Sequence, residues 1–92
     1  LLLSACGDSG IDSGVKTTLS CFDGEYQTTQ IDTVAGFLQF GEEKFSYESA
    51  EGTSYYFKNP SNNRGMIYDR VKNELTLTSS GMNIFTMPCT DL

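Results

Sequence analysis

Apolar and β-branched residues alternate with polar ones through most of this chain, in short runs broken by glycine, asparagine and aspartate. Val15-Lys16-Thr17-Thr18-Leu19-Ser20-Cys21 places its side chains on two faces in turn, the period of a half-buried strand. Asp23-Gly24 then marks a hairpin. Glu25–Ile31 and Thr33–Phe40 follow as two β-rich runs divided near Asp32, and Gly41-Glu42-Glu43-Lys44 turns the chain into Phe45-Ser46-Tyr47-Glu48. Small residues and a glycine interrupt the pattern over Ser49-Ala50-Glu51-Gly52 before a strand resumes over Thr53–Lys58. Asn59-Pro60-Ser61-Asn62-Asn63 reads as a loop, because proline cannot donate to a ladder and asparagine favours turns. Arg64–Val71, Leu75–Thr78 and Ile84–Cys89 complete the set, separated by Lys72-Asn73 and Ser80-Gly81-Met82-Asn83.

No window sustains a period of 3.6 residues. Eight short strands spaced about ten residues apart predict an all-β domain over 15–92, an antiparallel sandwich or a small closed barrel. Closure is favoured, because an eight-stranded antiparallel barrel leaves no strand edge exposed. The aromatics Tyr55-Tyr56-Phe57 and the methionines Met66, Met82 and Met87 are expected to fill its core. The loop at Ser49–Tyr55 is the candidate for function, since glycine lets a backbone project where other residues cannot.

Charge and composition narrow the chemistry. Twelve acidic residues against six basic ones give a net charge of −6, which argues against nucleic acid and anionic lipid and suits a basic partner. The chain has no histidine, so the commonest acid–base catalyst and metal ligand is missing, and no metal or other cofactor is expected. Glu42, Glu43, Glu48 and Glu51 could form a carboxylate pair for hydrolysis, yet no segment supplies a cleft. They read as solvated surface charge, and no enzyme is expected.

The N-terminus has a different character. Leu1-Leu2-Leu3-Ser4-Ala5-Cys6 followed by Gly7-Asp8-Ser9-Gly10 resembles the end of a bacterial lipoprotein signal peptide, cleaved before a cysteine that is then acylated. The resemblance implies that 1–5 are residual signal peptide and Cys6 the lipidated residue. Residues 6–14 then form a polar, glycine-rich tether. It also implies residence in the envelope of a Gram-negative cell. Lipoproteins with aspartate directly after the cysteine tend to stay in the inner membrane, and Gly7 in that position points to the outer membrane, facing the periplasm. With Cys6 acylated, Cys21 and Cys89 remain as an even pair in an oxidising compartment, expected to form a disulfide. The alternative is two free buried thiols.

Ser49-Ala50-Glu51-Gly52-Thr53-Ser54-Tyr55 after the fourth strand, an early cysteine in Thr18-Leu19-Ser20-Cys21 and a late one at Cys89 together resemble the membrane-bound inhibitors of C-type lysozyme. Val34-Ala35-Gly36-Phe37-Leu38 matches that family's third strand loosely, and its Ser-Gly-x-x-Tyr motif falls on Glu51–Tyr55, with Glu51 in place of the serine. The family's downstream aromatic–lysine pair falls on Tyr68-Asp69-Arg70, with Lys72 as the other candidate cation. The resemblance spans about residues 18–89 and implies an inhibitor whose loop fills the lysozyme cleft between its two carboxyl groups. In that reading Gly52 lets the loop enter, Tyr55 anchors its base and Arg70 or Lys72 pairs with the carboxylates. A carboxylate at the tip would be repelled there, so Ser49 or Ser54 takes the serine's role, Glu51 meets an arginine at the cleft rim, or inhibition is lost. If Glu51 is the tip, Glu51→Ser strengthens inhibition. The second expectation is an envelope lipoprotein of the same fold that binds a different protein.

Overall fold

A computed structural model of the chain describes residues 14–92. The expected signal segment, the acylated Cys6 and the tether up to residue 13 lie outside the described residues. Eight strands follow one another: β1 Lys16–Phe22, β2 Tyr26–Asp32, β3 Phe37–Phe40, β4 Glu43–Glu51, β5 Ser54–Asn59, β6 Arg64–Asp69, β7 Glu74–Ser79 and β8 Met82–Asp91. Each pairs antiparallel with its neighbours in the chain and β8 returns to β1, so the sheet closes into an up-and-down barrel rather than a sandwich.

Alternation builds the core. Leu19 and Cys21 on β1, Ile31 on β2, Leu38 on β3, Phe45 on β4, Met66 on β6, Leu75 on β7 and Met87 on β8 are fully buried. Residues two apart on a strand share a face, so each strand delivers its apolar set to the lumen. The same rule splits the aromatic triplet: Tyr55 and Phe57 are buried, while Tyr56 points outward. Met66 and Met87 fill the core as expected, but Met82 opens β8 and is 71 % exposed.

Three turns depart from the apolar pattern in the same way. Asp32 pairs with Phe37, Asn59 with Arg64, and Asp69 with Glu74, so each bracket encloses four residues. In each, the opening side chain accepts backbone N–H groups within the turn: Val34 and Ala35 donate to Asp32 Oδ1, Ser61 to Asn59 Oδ1, and Val71 and Lys72 to Asp69 Oδ1. The fourth enclosed residue is left-handed in each, Gly36 at φ 94°, Asn63 at 57° and Asn73 at 55°. Side-chain oxygens of Asp and Asn compete for the N–H groups that a ladder would use, and glycine and asparagine tolerate the left-handed region. Hence Val34 and Val71, placed in strands by their β-branched character, lie in turns and are exposed. Three of the five residues in the segment likened to the inhibitor family's third strand, 34–36, are therefore turn.

Closure is narrower than the other pairings. Strands β1 and β8 pair only through Leu19↔Asp91, Ser20↔Thr90 and Cys21↔Cys89, and the last of these carries a disulfide between residues 68 apart. Replacing both cysteines with alanine is expected to lower unfolding stability by roughly 4 kcal/mol in urea denaturation, from the unfolded-state entropy of a loop this long. A loss below about 1 kcal/mol would mean that the open chain already keeps its ends together.

Candidate functional site

The β4–β5 hairpin and the β6–β7 turn stand side by side at one rim of the barrel, because β5 and β6 pair through Ser54↔Asp69. The loop expected at Ser49–Tyr55 is shorter than its composition implies. Strand β4 runs on to Glu51, and only Gly52 and Thr53 lie between the paired Glu51 and Ser54. Gly52 has φ 63°, as the first central residue of a tight two-residue hairpin loop requires, and open space surrounds the position of its missing side chain. Register slips between Tyr47 and Ser49, leaving Glu48 as the extra residue of a bulge.

That slip fixes where the candidate residues point. Partners across an antiparallel pair share a face, so Ala50 lies opposite the buried Tyr55, while Ser49 and Glu51 share the outer face with Tyr56 and Ser54. Ser49 therefore stands back from the tip, and Glu51 flanks the turn. The side chain at the tip itself is Thr53, which the sequence reading did not single out. Its hydroxyl donates to Asp69 Oδ1 at 3.2 Å, and its carbonyl accepts the Arg70 N–H at 3.1 Å. Two adjacent turns are thereby joined into one projection.

Asp69 is the centre of this junction. It accepts the N–H groups of Lys72 and Val71 and the Thr53 hydroxyl, and the Lys72 N–H foremost holds its carboxyl below the usual carboxylate range. Along the outer face Glu51, Ser54, Asp69 and Glu74 form one row across four strands, since each pairs with the next. The two candidate cations part company here. Arg70 turns its guanidinium back, donating from Nη1 to the Tyr55 hydroxyl at 2.8 Å over the barrel mouth. Lys72 is exposed and makes no salt bridge among the described residues.

Beneath the rim, the Tyr68 hydroxyl donates to Asn73 Oδ1 at 2.8 Å, and Asn73 Nδ2 donates to the Cys89 carbonyl at 2.9 Å. The Cys89 N–H returns to the Asn73 carbonyl. Burial, aided by the Asp91 charge, pushes the Tyr68 hydroxyl above its usual pKa. The turn bearing Lys72 is thus tied directly to the disulfide. At the opposite rim Glu43, expected as plain surface charge, accepts Asn59 and Asn62 amides and pairs with Arg64 at 3.0 Å, beside a shallow depression of about 620 Å³. No cluster of three or more potential metal ligands exists among the described residues. No family model, curated protein or solved structure matches the chain.

Because the folded pKa of Asp69 lies below its unfolded value, its contribution is present at neutral pH and is lost as pH falls through the usual value of 3.8 and below. Asp69→Asn is therefore expected to destabilise the domain at about pH 7 and to differ little from the parent at about pH 2.5 in thermal melts. The Val71 and Lys72 amide resonances of the parent should shift over the same acid range. An equal deficit at both pH values would assign the loss to geometry rather than to charge.

Proposed function

We propose that this rim docks in the cleft of a C-type lysozyme and blocks it, in a lipoprotein held at the outer membrane through Cys6 and exposed to the periplasm. The observation that carries the reading is the junction of Gly52-Thr53 with Arg70–Lys72 through Asp69. A lysozyme cleft presents two carboxyl groups in a deep, narrow groove. A two-residue turn bare at Gly52 is thin enough to enter such a groove, and the hydroxyl of Thr53 lies at its tip. Lys72 beside it supplies a charge-assisted hydrogen bond to a carboxylate, about twice as strong as a neutral one. The hydrogen bonds that join the turns hold them in place before binding, so less ordering entropy opposes the complex.

Glu51 then loses its threat. On the outer face it flanks the entering turn instead of leading it, and with Glu74 it contributes to the attraction of a strongly basic enzyme. Arg70, held on Tyr55, braces the turn, and Lys72 is the cleft cation. Ser49 and Ser54 lie along the outer face as rim contacts. The second reading, an envelope lipoprotein that binds another basic protein, draws on the same row of Glu51, Asp69 and Glu74, which suits a basic surface more than an acidic cleft.

Inhibition of cell-wall hydrolysis by micromolar 92-residue chain tests the first reading. Lys72→Ala is expected to weaken inhibition at least about tenfold, the effect of losing one hydrogen-bonded buried charge. Glu51→Ser is expected to change it by less than about threefold and to act mainly on the association rate at low salt. Absence of inhibition, with a basic protein still bound in a salt-sensitive way, would favour the second reading. A tenfold gain from Glu51→Ser would return that carboxylate to the tip.

A further inference from the structure

A second surface lies toward the other rim, where the barrel fails to close along its full height. Residues 82–88 of β8 pair with β7 alone, because β1 ends at Phe22 and turns into β2. Among the described residues, their flank toward β1 is an unpaired strand edge. Backbone direction along this edge follows from two hydrogen bonds. The Cys89 N–H points toward β7, to the Asn73 carbonyl, and the Leu92 N–H points toward β1, to the Thr18 carbonyl. Alternation then puts the Thr86 N–H and C=O and the Pro88 C=O on the open side.

Side chains mark the same place. Met82, Ile84 and Phe85 are 71 %, 55 % and 40 % exposed, and across the gap Phe22 and Tyr26 pack at a tilt with ring centroids 4.9 Å apart, both exposed. Edge strands are usually guarded by charge, proline or a bulge. This one has Pro88 and a bulge at Ile84 but no charge from Gly81 to Thr90, and the Thr86 N–H and C=O between them stay open. The charges next to it are Asp23 and Glu25 at the β1–β2 tip, and neither has a salt bridge among the described residues.

We propose that this edge is a docking site for an extended, apolar peptide segment of another protein that carries lysine or arginine beside its apolar residues. The segment adds a strand to β8, exchanges main-chain hydrogen bonds with the Thr86 N–H and C=O, and donates to the Pro88 C=O. Its alternate apolar side chains cover Met82, Ile84 and the Phe22–Tyr26 pair. Its cations meet Asp23 and Glu25, which selects against acidic strands. A second copy of this chain fits less well, since each brings the same two carboxylates and a net charge of −6.

The test is a nuclear magnetic resonance titration of the full 92-residue chain with a capped peptide, Lys-Val-Thr-Val-Thr-Val-Lys. Amide shifts are expected to concentrate at residues 82–87 and 22–26 and to spare 51–54 and 69–73, so that failure here stays separate from failure at the lysozyme rim. The same peptide ended by glutamate should bind about tenfold more weakly, since two rim pairs are lost and two repulsions gained. Thr86→Pro removes an N–H that no strand of the barrel uses, and Ile84→Lys adds a charge to an exposed position. Both variants should keep the parent's spectrum elsewhere and lose the peptide shifts. Equal binding of the glutamate peptide, shifts scattered over the surface, or no shifts would overturn the proposal. A concentration-dependent dimer abolished by Ile84→Lys would overturn it in favour of a second copy.

Discussion

Closure between the first and last strands is the constraint on which this molecule depends. Seven of the eight strand junctions are local hairpins or short turns, and their pairing follows from chain connectivity. The eighth joins Leu19, Ser20 and Cys21 to Asp91, Thr90 and Cys89 from opposite ends of the domain, over three residue pairs. Pairing residues so far apart costs the full loop-closure entropy before any contact offsets it. The disulfide removes that cost from the folding equilibrium. A small domain buries a modest share of its surface, so a covalent closure is a large part of what keeps its core dry.

The closure also reaches the candidate site. Cys89 holds Asn73 through two hydrogen bonds, Asn73 holds the Tyr68 hydroxyl, and the same turn carries Lys72 on the N–H that Asp69 accepts. A left-handed asparagine thus serves three functions at one position: it ends the turn, caps a buried tyrosine and pins the last strand. An alanine there would keep only the main-chain bond from the Cys89 N–H and would lose the Tyr68 cap and the bond to the Cys89 carbonyl. The geometry of the rim is therefore a consequence of how the barrel is shut, not of the loop sequence alone.

The strands and the eight-stranded count were legible from the sequence, because alternation is a one-dimensional signal that the lumen enforces in three. Cys21 and Cys89 were legible as a pair through their number and setting. The turns are less legible. Val34 and Val71 carry β-branched side chains, and local propensity placed both in strands, whereas the preceding Asp32 and Asp69 redirect the backbone. Asp or Asn, a four-residue interval and a terminal Gly or Asn was the available signal, repeated three times. The candidate loop is marked by its glycine, but β4 runs on to Glu51 and leaves Gly52-Thr53 as the tip, while the bulge at Glu48 sets Ser49 and Glu51 on the outer face. A one-residue slip reverses every face that follows it, and nothing in Tyr47-Glu48-Ser49 announces such a slip.

Charge separates the roles of the two surfaces. The net −6 acts at long range on any basic protein and raises its encounter rate without choosing where it lands. Orientation is decided at contact, and there the rim and the β8 edge offer opposite chemistry. At the rim, Asp69 Oδ1 accepts three hydrogen bonds within the two turns and Arg70 is held on Tyr55, so Lys72 carries the local cation. At the edge, an uncharged backbone lies between apolar side chains and two outlying carboxylates. On the proposed reading, a rigid basic protein with an acidic groove takes the first surface and has no strand to lend to the second. An extended basic segment fits the second and has no groove for Gly52-Thr53 to enter. On the two proposed readings, shared attraction with divided contacts would let one small acidic barrel receive both without competition between them.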